Sequence, residues 1–404
     1  MASLLAIGLA FVAIAVAGAV AERANLSVIP LYVVAGVLVG PNVLGGVGAV
    51  AVGGGTVPVP AVPVDDTVTV LAELGIVLLL FFLGLEFSID RLLAGWRRMT
   101  AAGSVDLVVN FPLGVLVGLA LGWSVVEALL LGGVVYISSS AIITKSLLDL
   151  GWIANDESEP ILGVLVFEDL VIAVYLALVT PIVTGGGDPT AVAVDLSVAV
   201  AVLVVLAVAA YFGERWAERT LRADTGETFV LRTLALAVPI AGAALALGVS
   251  EAVAAFFVGV AVASTSHVER AERLLAPVRD VFAAVFFLWV GLRTDPAVLL
   301  DPVVVTALAA IVLLTGPSKV LTGFYGGRIY GLPDRRSLRV GLGMTTRGEF
   351  SLVVAALAAT GTGTVMTEIV PAVAVGYVLV MSTVGTLAMQ YSDRFEALLP
   401  SAST

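Results

Sequence analysis

The segment Gly163-Val164-Leu165-Val166-Phe167-Glu168-Asp169-Leu170-Val171 places two adjacent carboxylates inside an apolar run. The run extends from Ile161 to Val183, which is long enough to cross the hydrocarbon core of a bilayer as one helix. A charged side chain at the centre of a bilayer costs roughly 2.5 to 3.5 kcal/mol even on insertion scales. We therefore expect Glu168 and Asp169 to have a partner or a function.

The composition of the whole chain is that of a membrane protein. Of its 404 residues, 60% are hydrophobic and 13% are charged, and the mean hydropathy is +1.10, whereas soluble domains carry about 25% charged residues. The chain has no cysteine, and its one histidine, His267, lies beside Glu269 and Arg270 rather than in a ligand cluster. We expect no cofactor and no metal catalysis. The net charge of −11 argues against nucleic acid as a partner.

Cutting the chain where charged residues, Gly or Pro interrupt apolar runs predicts an all-α polytopic membrane protein of about 13 transmembrane helices. The first run has no basic residue ahead of it, so we interpret it as a helix rather than a signal peptide. The predicted spans are Ala2–Val20, Val28–Leu44, Thr67–Phe87, Ala101–Leu121, Val125–Leu148, Ile161–Val183, Ala191–Phe212, Thr228–Leu247, Glu251–Ala263, Val278–Leu292, Val303–Gly323, Val340–Ala359 and Ile369–Met389.

Positive charge supports this count, because Lys and Arg accumulate in cytoplasmic loops. With the N-terminus outside and the C-terminus cytoplasmic, 15 of the 20 basic residues fall in cytoplasmic loops or at their rims. Arg293 falls outside, and Lys145, Arg232, Lys319 and Arg347 fall within spans. The pattern predicts a multi-pass protein of the plasma membrane, in contact with lipid.

Two parts of the chain resemble each other. Phe81–Leu85 resembles Phe286–Leu292. Aligning Gly84-Leu85 with Gly291-Leu292 gives an offset of 207 residues. The same offset aligns Ser138-Ser139-Ser140 with Thr345-Thr346-Arg347. Val34–Val37 matches Phe257–Val260 at an offset of 223. Chance similarity among Ala/Val/Gly-rich helices is the alternative. The matches predict one transmembrane domain over 1–404, with repeat one at about 2–183, a linker helix at about 191–212 and an inverted repeat two at about 228–389.

In such a fold, two interrupted helices cross near the midplane and hold an ion, and non-helical backbone is tolerated only where it lines a cavity or packs on protein. Spans 5 and 12 are the predicted interrupted helices. Their polar residues are the predicted supporting residues around the site: Ser138, Ser139, Ser140, Thr345, Thr346, Arg347 and Glu349.

Asp169 and Glu168 are the predicted ion-binding and proton-exchanging residues. Neighbouring side chains on a helix point about 100° apart, so one carboxylate can face a cavity while the other turns toward a basic partner. Buried carboxylate oxygens bind a proton or a hard cation such as Na+ or K+, and competition for Asp169 would constitute a minimal antiport mechanism. A neutralised structural pair with Lys319 or Arg347 is the alternative for both acids.

Other charged groups have two interpretations each. Lys319, inside span 11, is predicted either to pair with Glu168 or to extend toward the cytoplasmic membrane surface. Arg347 cannot lose its proton and is expected to neutralise helix ends or Glu349. The weaker candidates, each with helix packing or a near-interface position as its alternative, are Glu73, Glu86, Asp106, Asn110 and Lys145.

Four motifs extend over nearly the whole chain: Leu78-Leu79-Leu80-Phe81-Phe82-Leu83-Gly84-Leu85-Glu86, Ser138-Ser139-Ser140-Ala141-Ile142, Phe167-Glu168-Asp169-Leu170 and Arg347-Gly348-Glu349-Phe350. Together they resemble the monovalent cation/proton antiporters of the Kef and bacterial sodium/proton exchanger type. The resemblance implies a homodimer with a dimerisation part and an ion-carrying core, containing spans 5, 6, 12 and 13, that moves like an elevator. It also implies that Asp169 binds the cation, that Ser139 and its neighbours add oxygen ligands, and that Lys319 is the basic partner of the first acidic position.

The chain departs from its relatives at this acidic pair. Sodium exchangers of this type often have Asp-Asp and gated potassium relatives Gln-Asp, whereas this chain has Glu168-Asp169, which leaves Na+ or K+ preference open. Many Kef-type proteins also carry a soluble nucleotide-binding domain, which we do not expect in these 404 residues. Regulation of that kind would need a separate cytoplasmic subunit.

These features predict a secondary transporter rather than an enzyme. An intramembrane aspartyl protease needs two aspartates on different helices, one of them in a Gly-x-Gly-Asp setting, and no such tetrad occurs within a predicted span. A gated cation efflux channel and a sodium-coupled symporter of the same architecture are the alternatives, since fold analogy alone does not determine function.

Overall fold

The structure is a computed structural model that describes residues 4–24, 27–52, 55–58, 60–86, 89–184, 189–247 and 251–397. Helices make up nearly all of it, together with one two-stranded antiparallel hairpin. The helices are α1 (Leu4–Ala24), α2 (Val28–Val39), α3 (Asp66–Glu86), α4 (Ile89–Ala120), α5 (Val125–Tyr136), α6 (Ser140–Asp149), α7 (Ser158–Thr184), α8 (Pro189–Phe212), α9 (Glu214–Thr220), α10 (Gly226–Ala246), α11 (Glu251–Ala263), α12 (Val268–Arg293), α13 (Pro302–Ile329), α14 (Asp334–Gly343), α15 (Glu349–Ala358), α16 (Val370–Gln390) and α17 (Ser392–Glu396), and the strands are β1 (Ala49–Val52) and β2 (Gly55–Pro58).

The predicted all-α polytopic membrane fold is confirmed. Among the described residues, eight helices are long and apolar enough to cross a bilayer, and the bent pair formed by α8 and α9 makes a ninth if it is counted as one span. Four shorter apolar helices, α2, α5, α11 and α15, coincide with predicted spans 2, 5, 9 and 12. The count of 13 stays a prediction, because these four are too short to be identified as spans by length and composition.

Local sequence signals set several helix ends. Ser124 caps α5 through a capping box in which its hydroxyl accepts from the Glu127 amide while the Glu127 carboxylate accepts from the Ser124 amide at 2.7 Å. Asp301 caps α13 by accepting from the Val303 amide at 2.7 Å, with Pro302 in the first turn. Such caps satisfy the amides that a helix leaves unpaired at its start.

The chain divides into two compact units. Unit 1 comprises Met1–Ala17, Tyr32–Leu92 and Ala173–Arg293, and α3 packs there against α11 and α12. Unit 2 comprises Gly18–Leu31, Leu93–Ile172 and Thr294–Thr404. An apolar cluster in this unit is formed by buried residues of five helices: Ala102, Ile143, Leu147, Ile161, Val164, Leu165, Val340 and Met389, with Trp152, Leu332 and Met344 from connecting segments.

Helices of unit 1 touch at paired glycines. A Cβ atom on Gly84 would lie 2.1 Å from the carbonyl oxygen of Phe256 and 2.8 Å from Cα of Gly259. The same arrangement recurs where a Cβ on Gly291 would lie 2.0 Å from a carbonyl oxygen and 2.9 Å from Cα of Gly36. The two contacts are related by the sequence offsets of 207 and 223 residues, which is the pattern expected of an internal repeat.

Candidate functional site

Two interrupted helix pairs in unit 2 meet at their breaks. Helix α5 ends at Tyr136 and α6 begins at Ser140, while α14 ends at Gly343 and α15 begins at Glu349. The Ser139 amide donates to the Thr346 carbonyl oxygen at 3.2 Å, which joins the two non-helical segments. A Cβ on Gly348 would lie 2.4 Å from Ser139 Oγ, so this approach requires glycine. The breaks thus fall on the two polar triplets that the sequence placed at mid-span.

Opposite charges occupy the helix ends at this crossing. The buried Arg347 donates from Nε to the carbonyl oxygen of Val135, in the last turn of α5, at 3.1 Å. Its Nη1 donates to the carbonyl oxygens of Met344 at 3.0 Å and Thr346 at 2.7 Å. Glu349, in the first turn of α15, accepts from Ser139 Oγ at 2.6 Å. A cation at a helix C-terminus and an anion at an N-terminus both stabilise the helix dipole.

Glu168 is completely buried and receives three hydrogen bonds. Its Oε2 accepts from the amide of Ser138 at 2.9 Å, and its Oε1 accepts from Ser138 Oγ at 3.0 Å and from Lys319 Nζ at 2.7 Å. Glu168 therefore ties the break between α5 and α6 to α13. A buried charge needs such a partner and several hydrogen bonds to offset the loss of water.

Lys319 lies between two carboxylates and is completely buried. Its Nζ is 2.7 Å from Glu168 Oε1 and 2.6 Å from Asp106 Oδ2. The alternative in which Lys319 extends to the membrane surface is therefore wrong, because its ammonium is completely enclosed.

Asp106 is held in turn by polar side chains on two helices. Its Oδ1 accepts from Asn110 Nδ2 at 2.9 Å and from Thr322 Oγ1 at 2.8 Å, and Asn110 Oδ1 accepts from Ser318 Oγ at 2.6 Å. Sequence reasoning ranked Asp106 and Asn110 low and missed Ser318 and Thr322. The available signal was spacing: Asp106 and Asn110 are four residues apart, and Thr322 follows Lys319 by three, so each pair shares a helix face.

Asp169 contacts the other side of the same break. Its Oδ2 lies 3.5 Å from the hydroxyl of Ser140, the first residue of α6, and the residue is 8% exposed. Glu168 and Asp169 thus have different partners, as expected for neighbours on a helix. Thr345 donates back to the Leu342 carbonyl oxygen at 2.6 Å. Within the described residues Thr346 Oγ1 is buried and has no hydrogen-bond partner.

Three of the weaker candidates lie outside this cluster or outside the description. Glu73 is half-buried in unit 1. The side chains of Glu86 and Lys145 lie outside the described residues. The structure therefore brings together four carboxylates and two cations in unit 2: Asp106, Glu168, Asp169, Glu349, Lys319 and Arg347.

These six groups carry a formal charge of −2 when all are ionised. All six are buried, so little water screens the excess. A buried cluster with more carboxylates than cations among its described groups favours the uptake of protons or of metal cations. The arrangement can therefore bind either kind of positive ion.

Comparisons with known proteins cover nearly the whole chain. A sequence profile of the family described as "Sodium/hydrogen exchanger, transmembrane" matches residues 9–390. The chain is 34% identical over 396 residues to the K(+)/H(+) antiporter subunit KhtU of Bacillus subtilis strain 168, covering 97% of this chain and 94% of that protein. It is 34% identical over 295 residues to the ammonium/H(+) antiporter subunit AmhT of Alkalihalophilus pseudofirmus, covering 71% and 74%.

A solved structure shares the fold. The sodium proton antiporter MjNhaP1 of Methanocaldococcus jannaschii superimposes with a TM-score of 0.69 at 14% sequence identity, over 98% of this chain and 99% of that one. At this identity the likeness concerns the fold alone. The names of all three relatives are those of transporters rather than enzymes.

Proposed function

Because this chain belongs to the sodium/hydrogen exchanger family, a family of multi-pass membrane transporters, we propose that it is a secondary antiporter exchanging Na+ or K+ for protons across the plasma membrane. The observation that carries the proposal is the buried cluster around Glu168 and Asp169, in which carboxylates outnumber cations at a crossing of interrupted helices. A site with this excess of negative charge is loaded by protons or by cations, and alternation between the two is exchange.

Asp169 is the proposed exchanging group. Glu168 is held by three hydrogen bonds of 2.7 to 3.0 Å and is completely buried, whereas Asp169 is 8% exposed. A carboxylate that must take up and release an ion needs such access. Glu168, with Lys319, sets the charge beside it and holds the break in position.

Oxygen atoms near the break supply the remaining ligands in this proposal. Na+ and K+ are hard cations that bind carboxylate, hydroxyl and carbonyl oxygens. The non-helical segments at 137–139 and 344–348 free backbone carbonyls, and the supporting hydroxyls are those of Ser138, Ser139, Ser140, Thr345 and Thr346. The relatives are named for potassium, ammonium and sodium, so the ion preference of this chain is a matter for measurement.

Alternating access follows from the position of the site in this proposal. The six charged residues of the site all lie in unit 2, so movement of unit 2 as one body would carry the ion across the membrane, with unit 1 as the dimerisation part of a homodimer. The inverted repeat supplies two related broken helices for such a carrier.

We further propose that the N-terminus lies outside and the C-terminus lies in the cytoplasm. We also propose a separate cytoplasmic regulatory subunit, in line with relatives named as antiporter subunits.

Reconstitution tests the proposal. Proteoliposomes with an imposed pH gradient and a pH-sensitive dye inside are given Na+, K+, Li+ or Rb+ in parallel, and at least one cation should drive proton movement. Asp169→Asn should abolish exchange. Asp393→Asn is the matched control, because Asp393 is 93% exposed, and it should leave exchange intact.

Each other outcome has a clear meaning. Undiminished exchange by the Asp169 variant would remove that residue from the site. Cation flux without any accompanying proton movement would replace the antiporter with a channel, and proton-independent uptake of an organic solute with Na+ would replace it with a symporter.

A further inference from the structure

A groove on unit 1 combines a basic half and an apolar half. The basic half is a cavity of about 380 Å³ at the junction of α9 and α10. The apolar half is a cavity of about 360 Å³ formed by α3, α10 and α12. Ala235 lines both, so the two cavities adjoin at this residue, and we name the pair the α10 groove. The basic half is lined by Trp216, Arg219, Thr220, Arg232 and Leu236, and the apolar half by residues that include Leu74, Leu78, Val238, Pro239 and Phe282.

The basic half lies where a membrane span ends. Helix α9 is bent by 71° from the preceding part of α8, so it does not continue that span. Tyr211, Phe212 and Trp216 are 70%, 74% and 58% exposed at the bend. Exposed aromatic side chains at the end of a transmembrane helix mark the level of the lipid headgroups. Val238 follows Arg232 by six residues on α10, so the apolar half lies about 9 Å further toward the hydrocarbon core.

Two arginines in the groove carry uncompensated charge. Arg232 donates from Nη1 to the carbonyl oxygens of Thr220 and Arg222 at the end of α9, which holds its guanidinium in the groove without neutralising it. Over the described ranges, neither Arg219 nor Arg232 forms an ion pair with a carboxylate. The sequence places Arg232 inside a predicted span, and the antiport site of unit 2 gives it no role. A guanidinium at this depth is stabilised by an anionic lipid headgroup.

We propose that the α10 groove binds a phospholipid with an anionic headgroup. The phosphate lies between Arg219 and Arg232, since a guanidinium binds phosphate oxygens with paired donors. One acyl chain lies along Leu78, Val238 and Phe282. Each half of the groove has the volume of a small-molecule site, about 300 to 1,000 Å³. A second copy of the chain fits less well, because a two-fold interface centred here would bring identical arginines together.

Titration of the purified full-length protein with single lipids, followed by native mass spectrometry, tests this site. Palmitoyl-oleoyl phosphatidylglycerol should bind more tightly than palmitoyl-oleoyl phosphatidylcholine. Arg219→Gln and Arg232→Gln should each weaken phosphatidylglycerol binding about fivefold. Arg215→Gln is the matched control, because Arg215 is an exposed arginine of the same helix that does not line the groove, and it should change nothing.

A second variant tests the apolar half. Ala235→Trp should fill the groove and reduce phosphatidylglycerol binding while both arginines are retained. Equal binding of the two lipids, equal loss in the Arg215 variant, or full binding by the Ala235→Trp protein would overturn the proposal. Competition by inorganic phosphate as strong as by lipid would replace it with a simple phosphate site. The chain has no cysteine, so a disulfide-linked dimer formed by Ala235→Cys would identify the groove as a contact between two copies instead.

Discussion

Replacing Lys319 with Met should destabilise the protein strongly, because Lys319 neutralises two buried carboxylates at once. Its Nζ bridges Asp106 and Glu168 at 2.6 and 2.7 Å, so the facing oxygens of the two acids are no more than about 5.3 Å apart. Without the ammonium, their repulsion amounts to about 3 kcal/mol at an effective dielectric constant of 20. Removing one partner of a buried ion pair typically costs about 3 to 5 kcal/mol, and we expect Lys319→Met to lose that much stability.

Adding Asp106→Asn to Lys319→Met should restore part of this loss, because it removes one of the two repelling charges while keeping the shape of the side chain. The matched control is Arg328→Met on the same helix, because the half-exposed Arg328 pairs with the exposed Asp334 at 3.0 Å. Exposed pairs contribute about 0 to 1 kcal/mol. Thermal unfolding in detergent of the wild type, Lys319→Met, Asp106→Asn and the double variant forms a double-mutant cycle that measures the coupling, with Arg328→Met measured beside it. A Lys319→Met protein as stable as Arg328→Met, or no rescue by Asp106→Asn, would refute the bridging geometry.

Three further substitutions or conditions give distinct outcomes. Gly348→Ala should separate the two breaks, because its methyl group would lie 2.4 Å from the hydroxyl of Ser139. We expect this variant to lose about 1 to 3 kcal/mol of folding free energy and to lose exchange. Gly242→Ala, which has open space around it, is the control and should unfold no earlier than the wild type. Arg347→Lys keeps the charge but not the fork of donors, so a melting temperature equal to wild type would argue against its role at the helix ends. Hydrogen bonds from the Ser266 hydroxyl and amide lower the pKa of Glu218, so that contact should persist at neutral pH and be lost only as the pH falls through the lowered pKa. Loss of protection of the Ser266 amide against hydrogen exchange at neutral pH would contradict this.

The break positions were predictable because polar residues are conspicuous in an apolar helix. Ser138-Ser139-Ser140 and Thr345-Thr346-Arg347 stood out within runs of Val, Leu and Gly, and the structure ends α5 and α14 at these triplets. Hydroxyl side chains compete for backbone hydrogen bonds and so favour helix ends. Glu168 and Asp169 were identified in the same way, as charged residues within an apolar run, and their carboxylates indicated proton or cation binding.

The partners of Lys319 were only half predictable. Sequence spacing fixes which residues of one helix share a face, but it does not determine which other helix packs against that face. Asp106 is 213 residues from Lys319, and its spacing of four from Asn110 is equally common in ordinary packing pairs. The β1 and β2 hairpin and the bend between α8 and α9 were also missed, because short segments carry too little periodicity to be identified.

In the proposed exchange mechanism, the formal charge of the buried cluster gives it its role. Arg347 donates to carbonyl oxygens at the helix ends from Nε and Nη1, and Lys319 is shared by Asp106 and Glu168. Among these six groups the two fixed cations leave two negative charges in excess, whatever the detailed pairing. In a medium of low dielectric that excess is neutralised by ions that can enter and leave. A third fixed cation would neutralise the site permanently, and two fewer carboxylates would leave nothing for a mobile ion to balance. The proposed exchange would therefore depend on the excess of carboxylates over cations among these described groups rather than on any single strong contact.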